Sequence, residues 1–455
     1  MKKISLAFLL FLGAKLVVAN ETIGLKKFTE TMITLDPSIK QILFEFNQLE
    51  FITGLETASD HFVIDSKVQY SHQDSNEDRS VTTKVTRPLT WMGAKVDLSH
   101  SIENDDDRKT QTTSGTFEQR MIKNGFGRDE RERKKSALYN KEAIEIEILE
   151  KYEARVEAII NLYFDYQLAL IAVENAQKYL DDAAKLSSLV ARKVRDSIAS
   201  DTDSARANHE VLLRKAELDQ RKNDLYRFES AVISISGKKI IPKSDVSSRN
   251  EKKFIRMMKG SSEKKDLRLT FLAAKGKSAE KKILLAERAY LPDFGLFLGT
   301  ERDHETFGLQ TEGQKFFVGM NFSMALGEDS LLAAKLQQAR FEKSVIDLDR
   351  HQYLSERKMV FGQLLWAAEH HLRLIELEKK TLVKANKIAK GEQNRYQKGR
   401  IDLERLISSQ NLVTSAHLRH LKQQINLRKI YLRWLAVTDS LIDGTKIVIP
   451  WKLLE

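Results

Sequence analysis

The spacing of apolar positions changes several times along this 455-residue chain, and each change marks an element. Residues 25–58 carry apolar side chains at helical intervals, and Pro37, after Leu35-Asp36, predicts a break. In HFVIDSKVQY (61–70) the period drops to two. Phe62, Ile64, Val68 and Tyr70 share one face, and Asp65, Lys67 and Gln69 share the other. WMGAKVDLSHSI (91–102) likewise sets Met92, Ala94, Val96, Leu98 and Ile102 against Lys95, Asp97, Ser99 and Ser101. Weaker alternation in VTTKVTR (81–87) and TSGTFEQRMI (113–122) raises the count between about 60 and 122 to as many as four strands. Polar turn stretches, HQDSNEDRS and ENDDDRKTQ, lie between them.

From about Ser136 to Ile235 the helical period returns. Leu149, Tyr152, Val156, Ile159, Tyr163, Tyr166, Leu170 and Val173 alternate spacings of three and four, which is a coiled-coil seam. The pattern falters at KVRDSIASDTDS (193–204) and then resumes, so the segment predicts an elongated helical hairpin over about 136–235. A helix of about 55 residues would run about 80 Å, well beyond the length of a globular helix.

The order then recurs. Residues 250–289 read as helix and pass at Pro292 into a strand with Phe294, Leu296 and Leu298 on one face and Gly295, Phe297 and Gly299 on the other. After the polar loop RDHETFGLQTEGQ, KFFVGMNFSMAL places Phe316, Val318, Met320, Phe322 and Met324 on one face. Lys315, Gly319, Asn321 and Ser323, with Phe317, occupy the other. A long helical stretch runs from about Ser330 with a seam at Leu365, Ala368, Leu372, Ile375 and Leu382. It pauses at RYQKGRIDL (395–403) and returns through Leu418, Leu421, Ile425, Leu432 and Leu435. ISGKKIIP (235–242) and IDGTKIVIP (442–450) close the two halves. Two structural repeats follow, 20–242 and 243–455, the second with helix 250–289, β-hairpin 293–326 and helical hairpin 330–441.

Strands of this length with one apolar face suit a tilted crossing of a bilayer, which needs about 9–11 residues. Open sheet edges are not tolerated in lipid, so hairpins of one chain must be completed by other copies. Long amphipathic helices need neighbours too, and a symmetric ring meets both demands. The fold class expected is α+β membrane protein, with antiparallel helical hairpins joined to transmembrane β-hairpins that complete a barrel by trimerisation.

Composition narrows the compartment. MKKISLAFLLFLGAKLVVAN has basic Lys2 and Lys3, an apolar run and small residues at Val17 and Ala19, so a signal peptide spanning 1–19 with a mature start at Asn20 is expected. Without Lys2, Lys3 and Lys15 the net charge falls from +11 to +8, with no basic aromatic face for nucleic acid. There is no cysteine, hence neither disulfide nor amino-terminal lipid attachment. Beyond the signal, no stretch approaches 18 uninterrupted apolar residues.

Several stretches, taken in order, resemble the TolC-like outer-membrane efflux proteins. TIGLKKFTETMITLDPSIKQ is similar to the family's amino-terminal helix, and ERAYLPDFGLFLG to its passage from helix to strand. SARANHEVLLRKAEL and RYQKGRIDLERLISSQNLVTSAHLRHLKQQINLRKIYLRWLAVTDSLIDG resemble the helices returning from the periplasmic tips. The resemblance implies a homotrimer, a barrel in the outer-membrane lipid, a periplasmic helical tunnel and no chemistry. It further implies an exit duct for efflux or type I secretion, working with a periplasmic adaptor and an inner-membrane transporter. By position it places the gate at Ser200, Asp201, Tyr396, Glu404, Arg405 and Ser408, and adaptor contacts at Arg195, Ile198, Ala199, Gly399 and Ile401. Arg195 stands at the family's glycine position, and Arg405 and Ser408 stand where known members carry pore aspartates, which favours anions at the constriction. Phe294, Leu296, Leu298, Phe316, Val318, Met320 and Phe322 would face lipid.

Other motifs carry less. His370-His371 and His417/His420 lack a completing carboxylate, so neither a metal nor a cofactor is expected. Gly276-Lys277-Ser278 lacks the first P-loop glycine, Phe271 standing there. ENDDDRK is an acidic loop that could hold a cation or simply be solvated. Trp91, Tyr70 and Tyr290 fit either an aromatic girdle or core packing. A periplasmic coiled-coil adaptor is the alternative reading; an enzyme finds no nucleophile–base pair.

Overall fold

The computed structural model describes residues 22–56, 61–73, 76–105, 108–244, 251–260, 266–305, 312–324, 330–449 and 451–454. The expected signal segment and parts of loops 103–109 and 302–314 lie outside these residues. In chain order the elements are β1 (Thr22–Ile23), α1 (Leu25–Leu35), α2 (Pro37–Glu56), β2 (Val63–Gln73), β3 (Asn76–Leu89), β4 (Ala94–Asp105) and β5 (Arg108–Arg120). They continue with α3 (Arg128–Arg195), α4 (Asp201–Ser236), β6 (Ile241–Pro242), α5 (Glu251–Gly260), α6 (Leu267–Arg288), β7 (Asp293–Glu305) and β8 (Glu312–Ser323). Last come α7 (Ser330–Gln397), α8 (Leu403–Val437), β9 (Ile442–Asp443), β10 (Lys446–Ile447) and the short α9 (Trp451–Leu454).

Helices α3 and α7 are both 68 residues long, about 100 Å at the helical rise. The stretch 250–289 is two helices rather than one. Asp266 N-caps the second, accepting from the Leu269 amide at 2.8 Å. Helix α3 also begins eight residues before Ser136. The chain divides into two compact units that cut across the sequence repeats: Met1–Gln41, Tyr152–Lys264 and Phe361–Glu455 form one, Ile42–Lys151 and Lys265–Val360 the other.

The second of these units holds a six-stranded antiparallel sheet in the order β2-β3-β4-β5-β7-β8. Beside it, α6 packs against α3 and α7 through Ala143, Ile146, Phe271, Leu272, Ala274, Ala279 and Ile346. The Ser136 and Ser278 hydroxyls meet at 3.0 Å where small side chains let the helices close up. Asp266 anchors α7 as well: it pairs with Arg357 at 2.8 Å and accepts from the Tyr353 hydroxyl at 3.1 Å. Glu132 binds Lys135 and Lys281, each at 2.8 Å. Those two ammonium groups, Lys135 first, hold its carboxyl at about 2, well below the usual range.

A tight buckle joins the sheet to α3. Gly93 and Gly127 adopt positive φ (65° and 69°), as do Asn124 and Phe126. A Cβ on Gly127 would lie 2.5 Å from the carbonyl oxygens of Thr90 and Trp91, so only glycine fits. The Asn124 side chain caps α3, accepting from the Asp129 and Glu130 amides at 3.1 and 3.3 Å. Arg131 donates to the Trp91 carbonyl at 3.1 Å, and Arg288 at the end of α6 pairs with Asp129.

In the first unit α1 lies on α3, with Phe28 edge-on to Tyr163 at 5.2 Å and buried Asp36 paired to Arg155 at 2.6 Å. The parallel pair β1–β6 is tied to α3 by Gln167, whose amide reaches the Lys243 carbonyl at 2.9 Å. Phe254 of α5 stacks on Tyr431 of α8 at 4.6 Å, and burial raises the Tyr431 hydroxyl to about 12. Helix α3 contains an 18-residue window apolar enough for a membrane span, with mean hydropathy 1.4. Half of it is buried, with Val156, Ile159, Ile160, Tyr163 and Phe164 among the helix's core residues. A core helix gives the same signal.

Candidate functional site: an apolar sheet face and two helical turns

The sheet separates its side chains by polarity because the register keeps every strand in phase. One face collects Lys84, Lys95, Asp97, Glu118, Asp303 and Lys315. Across strands, Lys95 reaches Glu118 at 2.8 Å, Lys84 reaches Asp97 at 3.4 Å and Lys315 reaches Asp303 at 3.1 Å, while Lys95 and Asp97 pair along β4 at 3.5 Å. Phe297 and Phe317 meet edge-on at 6.2 Å on this same face. Each lies over a glycine of the neighbouring strand, Gly319 and Gly299, where a Cβ would collide with the ring. The alternation Phe294-Gly295-Leu296-Phe297-Leu298-Gly299 therefore provides floor space for aromatic rings.

The opposite face is apolar and uncovered. Phe62, Ile64, Val68, Tyr70, Val81, Leu98, Leu298, Phe316, Val318, Met320 and Phe322 are all exposed, Phe316 to 78% and Val318 to 82%. Phe294 and Leu296 are half-buried on that face, opposite Phe322 and Met320. The seven positions expected to face lipid thus share one surface, and β2–β4 enlarge it. Contiguous exposed apolar surface of this extent marks contact with a partner or a membrane.

The apolar band crosses the strands obliquely. On β2 it is centred at Ser66, between Phe62 and Tyr70. Ser66 faces Thr83, then His100, Thr113, Arg302 and finally Gln314 on β8. The band on β8, Phe316 to Phe322, is centred about five residues further along than Gln314, over five strand steps. A drift of about one residue (~3.3 Å) per ~4.8 Å strand spacing corresponds to a strand tilt of about 35° relative to the band. That matches the roughly 35–45° tilt of strands in membrane barrels.

The helical turns use the reverse arrangement. Between α3 and α4, Ser197 takes positive φ (57°) and the Ile198 amide donates to the Lys193 carbonyl at 2.7 Å. Between α7 and α8, Gly399 takes φ 68° and the Arg400 amide donates to the Arg395 carbonyl at 2.9 Å. Ser197 and Gly399 thus hold the same left-handed place in the two turns, whereas Arg195, which the resemblance sets at the family's glycine position, is the last residue of α3. Ser200 then matches Asp402 as the N-cap, closing a capping box with Asp203: the Asp203 amide donates to Ser200 Oγ at 3.1 Å. The Ser200 amide and hydroxyl donate to the Asp203 carboxylate at 3.1 and 2.8 Å, and these bonds, the backbone one first, lower its pKa.

Beneath the turns Leu186, Val190, Ala207, Tyr396, Leu403 and Leu406 form a buried cluster, with Ile401 partly buried against it. Tyr396 is 6% exposed; Lys193 lies 4.1 Å above its ring and donates to its carbonyl at 3.0 Å. Arg195, Asp201, Glu404, Arg405, Ser408, Gly399 and Ile198 are exposed, and Ala199 is half-buried. Arg405 pairs at 3.3 Å with Glu392, which is buried and shared with Arg395, and Glu404 pairs with Arg206 at 3.5 Å. Sequence reading missed Glu392, Lys193 and Arg206, because side-chain contacts between helices leave no local pattern.

The histidines have ordinary partners. His370 stacks on Trp366 at 5.2 Å, His371 meets Gln423 at 2.6 Å, and burial lowers the pKa of His417 and His420. Among the described residues no group of His, Asp or Glu could hold a metal. A polar cleft of about 340 Å³ among α3, α4, α7 and α8 is lined by Tyr179, Asp182, Arg214, Asn386, Asn411 and His417.

No family model and no characterised protein sequence matches the chain. Solved structures do. The transmembrane channel protein CusC matches with TM-score 0.69 at 11% identity, over 93% of this chain and 95% of that one. The outer membrane protein VceC of Vibrio cholerae matches with 0.70 at 12%, over 91% and 95%. The MtrE outer membrane channel of Neisseria gonorrhoeae matches with 0.65 at 14%, over 93% and 89%. At these identities the likeness is one of fold: long helices with an antiparallel sheet, arranged as in the TolC-like outer-membrane channels.

Proposed function

We propose that this chain is one protomer of a homotrimeric outer-membrane channel, a passive exit duct with no enzymatic step. The observation that carries the reading is the exposed apolar sheet face, whose oblique band has the slope a tilted barrel strand would give it. In water that face would be a severe liability; in lipid it is the stable surface. The polar face, with its paired charges, would then line the lumen. Exposed apolar positions on α7 support self-association: Phe341, Leu348 and Met359, then Trp366, Leu377 and Ile388, keep intervals of seven and eleven.

The helical turns are the candidate periplasmic end. Ser200, Asp201, Tyr396, Glu404, Arg405 and Ser408 form the proposed gate, and Arg195, Ile198, Ala199, Gly399 and Ile401 the surface for a periplasmic adaptor. The adaptor would couple the duct to an inner-membrane transporter, for efflux or type I secretion. Within the gate, the Arg405–Glu392 pair would act as a latch inside the protomer. The adaptor alternative does not explain six strands sharing an exposed apolar face.

Membrane fractionation followed by planar-bilayer recording tests the reading. The mature protein should need detergent, sediment as a trimer and conduct ions. Recovery in the soluble periplasmic fraction would overturn it. Arg405→Asp should shift ion selectivity toward cations; unchanged selectivity would remove Arg405 from the constriction.

A further inference from the structure

Helices α3 and α4 begin at residues 128 and 201, and α7 and α8 at 330 and 403, a constant offset of 202. Each long helix is preceded by one hairpin, β4–β5 before α3 and β7–β8 before α7. Among the described residues the hairpin β2–β3 has no counterpart in the second half. It is nevertheless hydrogen-bonded to β4 over eleven residue pairs, from Arg79–Asn104 to Leu89–Ala94. It also carries Phe62, Ile64, Val68, Tyr70 and Val81 on the same exposed apolar face as β7–β8. A hairpin projecting into water above the membrane would not continue that face, nor keep the slope of the band.

We infer that β2–β3 is part of the barrel wall, so that three copies close an eighteen-stranded barrel in which β8 of one protomer pairs with β2 of the next. This rests on the trimeric-channel reading above. Three observations support the joint. Strands β2 and β8 are the two edges of the sheet, and lipid tolerates neither left open. Six strands per chain is an even number, so β8 meets the next β2 antiparallel, as closed membrane barrels require. The apolar band must also continue across the joint at the same slope of about one residue per strand. That condition sets Ser66 of the next protomer opposite Met320, which places Val68 beside Val318, Ile64 beside Phe322 and Tyr70 beside Phe316. All six of these apolar side chains then fall on the lipid face. Eighteen strands at ~4.8 Å spacing and ~35° tilt give a barrel about 34 Å across its backbone, a size that leaves an aqueous lumen.

The chain contains no cysteine, so paired substitutions can be read without background. Val68→Cys with Val318→Cys, oxidised in isolated outer membranes, should yield covalent dimers and trimers on non-reducing gels. Either single variant should stay monomeric, because the joint is heterologous. Pairing Val68→Cys with Phe316→Cys or Met320→Cys fixes the register within one row, and a link at any of the three supports the joint. Links from Leu98→Cys to Val318→Cys instead would show that β2–β3 lies off the wall, and would overturn the inference. So would the absence of all these links in protein that is trimeric and conducts, which leaves the channel reading standing. Protein that is soluble and monomeric would fail the channel reading itself, and the inference with it.

Discussion

The sheet and the helical turns treat apolar side chains in opposite ways. On the sheet, Phe316 and Val318 are turned outward and the charges are paired across the other face. At the turns, Tyr396, Leu403 and Leu406 are buried and the outer surface carries Arg195, Asp201 and Arg405. The hydrophobic effect rewards burial only where the alternative is water. A chain that exposes a broad apolar face in one region and hides even a small cluster in another is built for two solvents.

The largest effect should come from reversing that choice. Val318→Asp places a charge on the proposed lipid face, where a midplane Arg or Lys costs about 2–4 kcal/mol per copy and an acid somewhat less. Heat-resistant trimers in membranes should be lost. The matched change at a turn, Ile198→Asp, also sits at an exposed apolar residue (69%) but should leave trimer yield unchanged. Equal damage from both would break the comparison.

Next comes Leu403→Ala. It opens the buried cluster that holds the turns together and should cost about 2–5 kcal/mol. The loss should be confined to the turns, appearing as faster proteolysis near 196–200 and 398–402 while the sheet proposed to lie in the membrane stays protected. Gly127→Ala strains the buckle that joins the sheet to α3, forcing φ 69° and a clash with two carbonyls. Its effect should be read as poor assembly at raised growth temperature, with the single-channel conductance of assembled trimers unchanged.

Smaller still, Ser200→Ala removes the capping box and should cost about 1 kcal/mol, visible as increased amide exchange in the first turn of α4. Finally, Glu132 has a carboxyl held near 2 in the folded protein against an ordinary value of 4.5. Its contribution to stability is full above about pH 4.5 and lost as pH falls toward about 2. Melting of the detergent-solubilised protein between about pH 5 and pH 3 should be less pH-dependent in Glu132→Gln than in the parent.

Much of this was legible in the chain. The two-residue period gave the strand faces, because alternate side chains must point to opposite sides. The pauses at 193–204 and 395–403 marked both turns. The start of a second helix after Asp266 escaped because α5 and α6 share a helical period. The resemblance puts Arg195 at the family's glycine position, while the positive φ of the first turn falls at Ser197, where a serine gives no signal as plain as glycine. The Lys281 partner of Glu132, the Glu392 partner of Arg405 and the Lys193 partner of Tyr396 were also beyond reach, since each lies on another helix.

Sequence alone determined the periods, the repeated order and the polarity of each strand face, all set by backbone geometry acting over a few residues. Only the tertiary structure decided that six strands form one sheet in a single register. It alone fixed the slope of the apolar band across them and the ion pairs that bind the turns. Those depend on which distant segments meet, and a hydrogen-bond ladder or an interhelical pair fixes that only once the chain has folded.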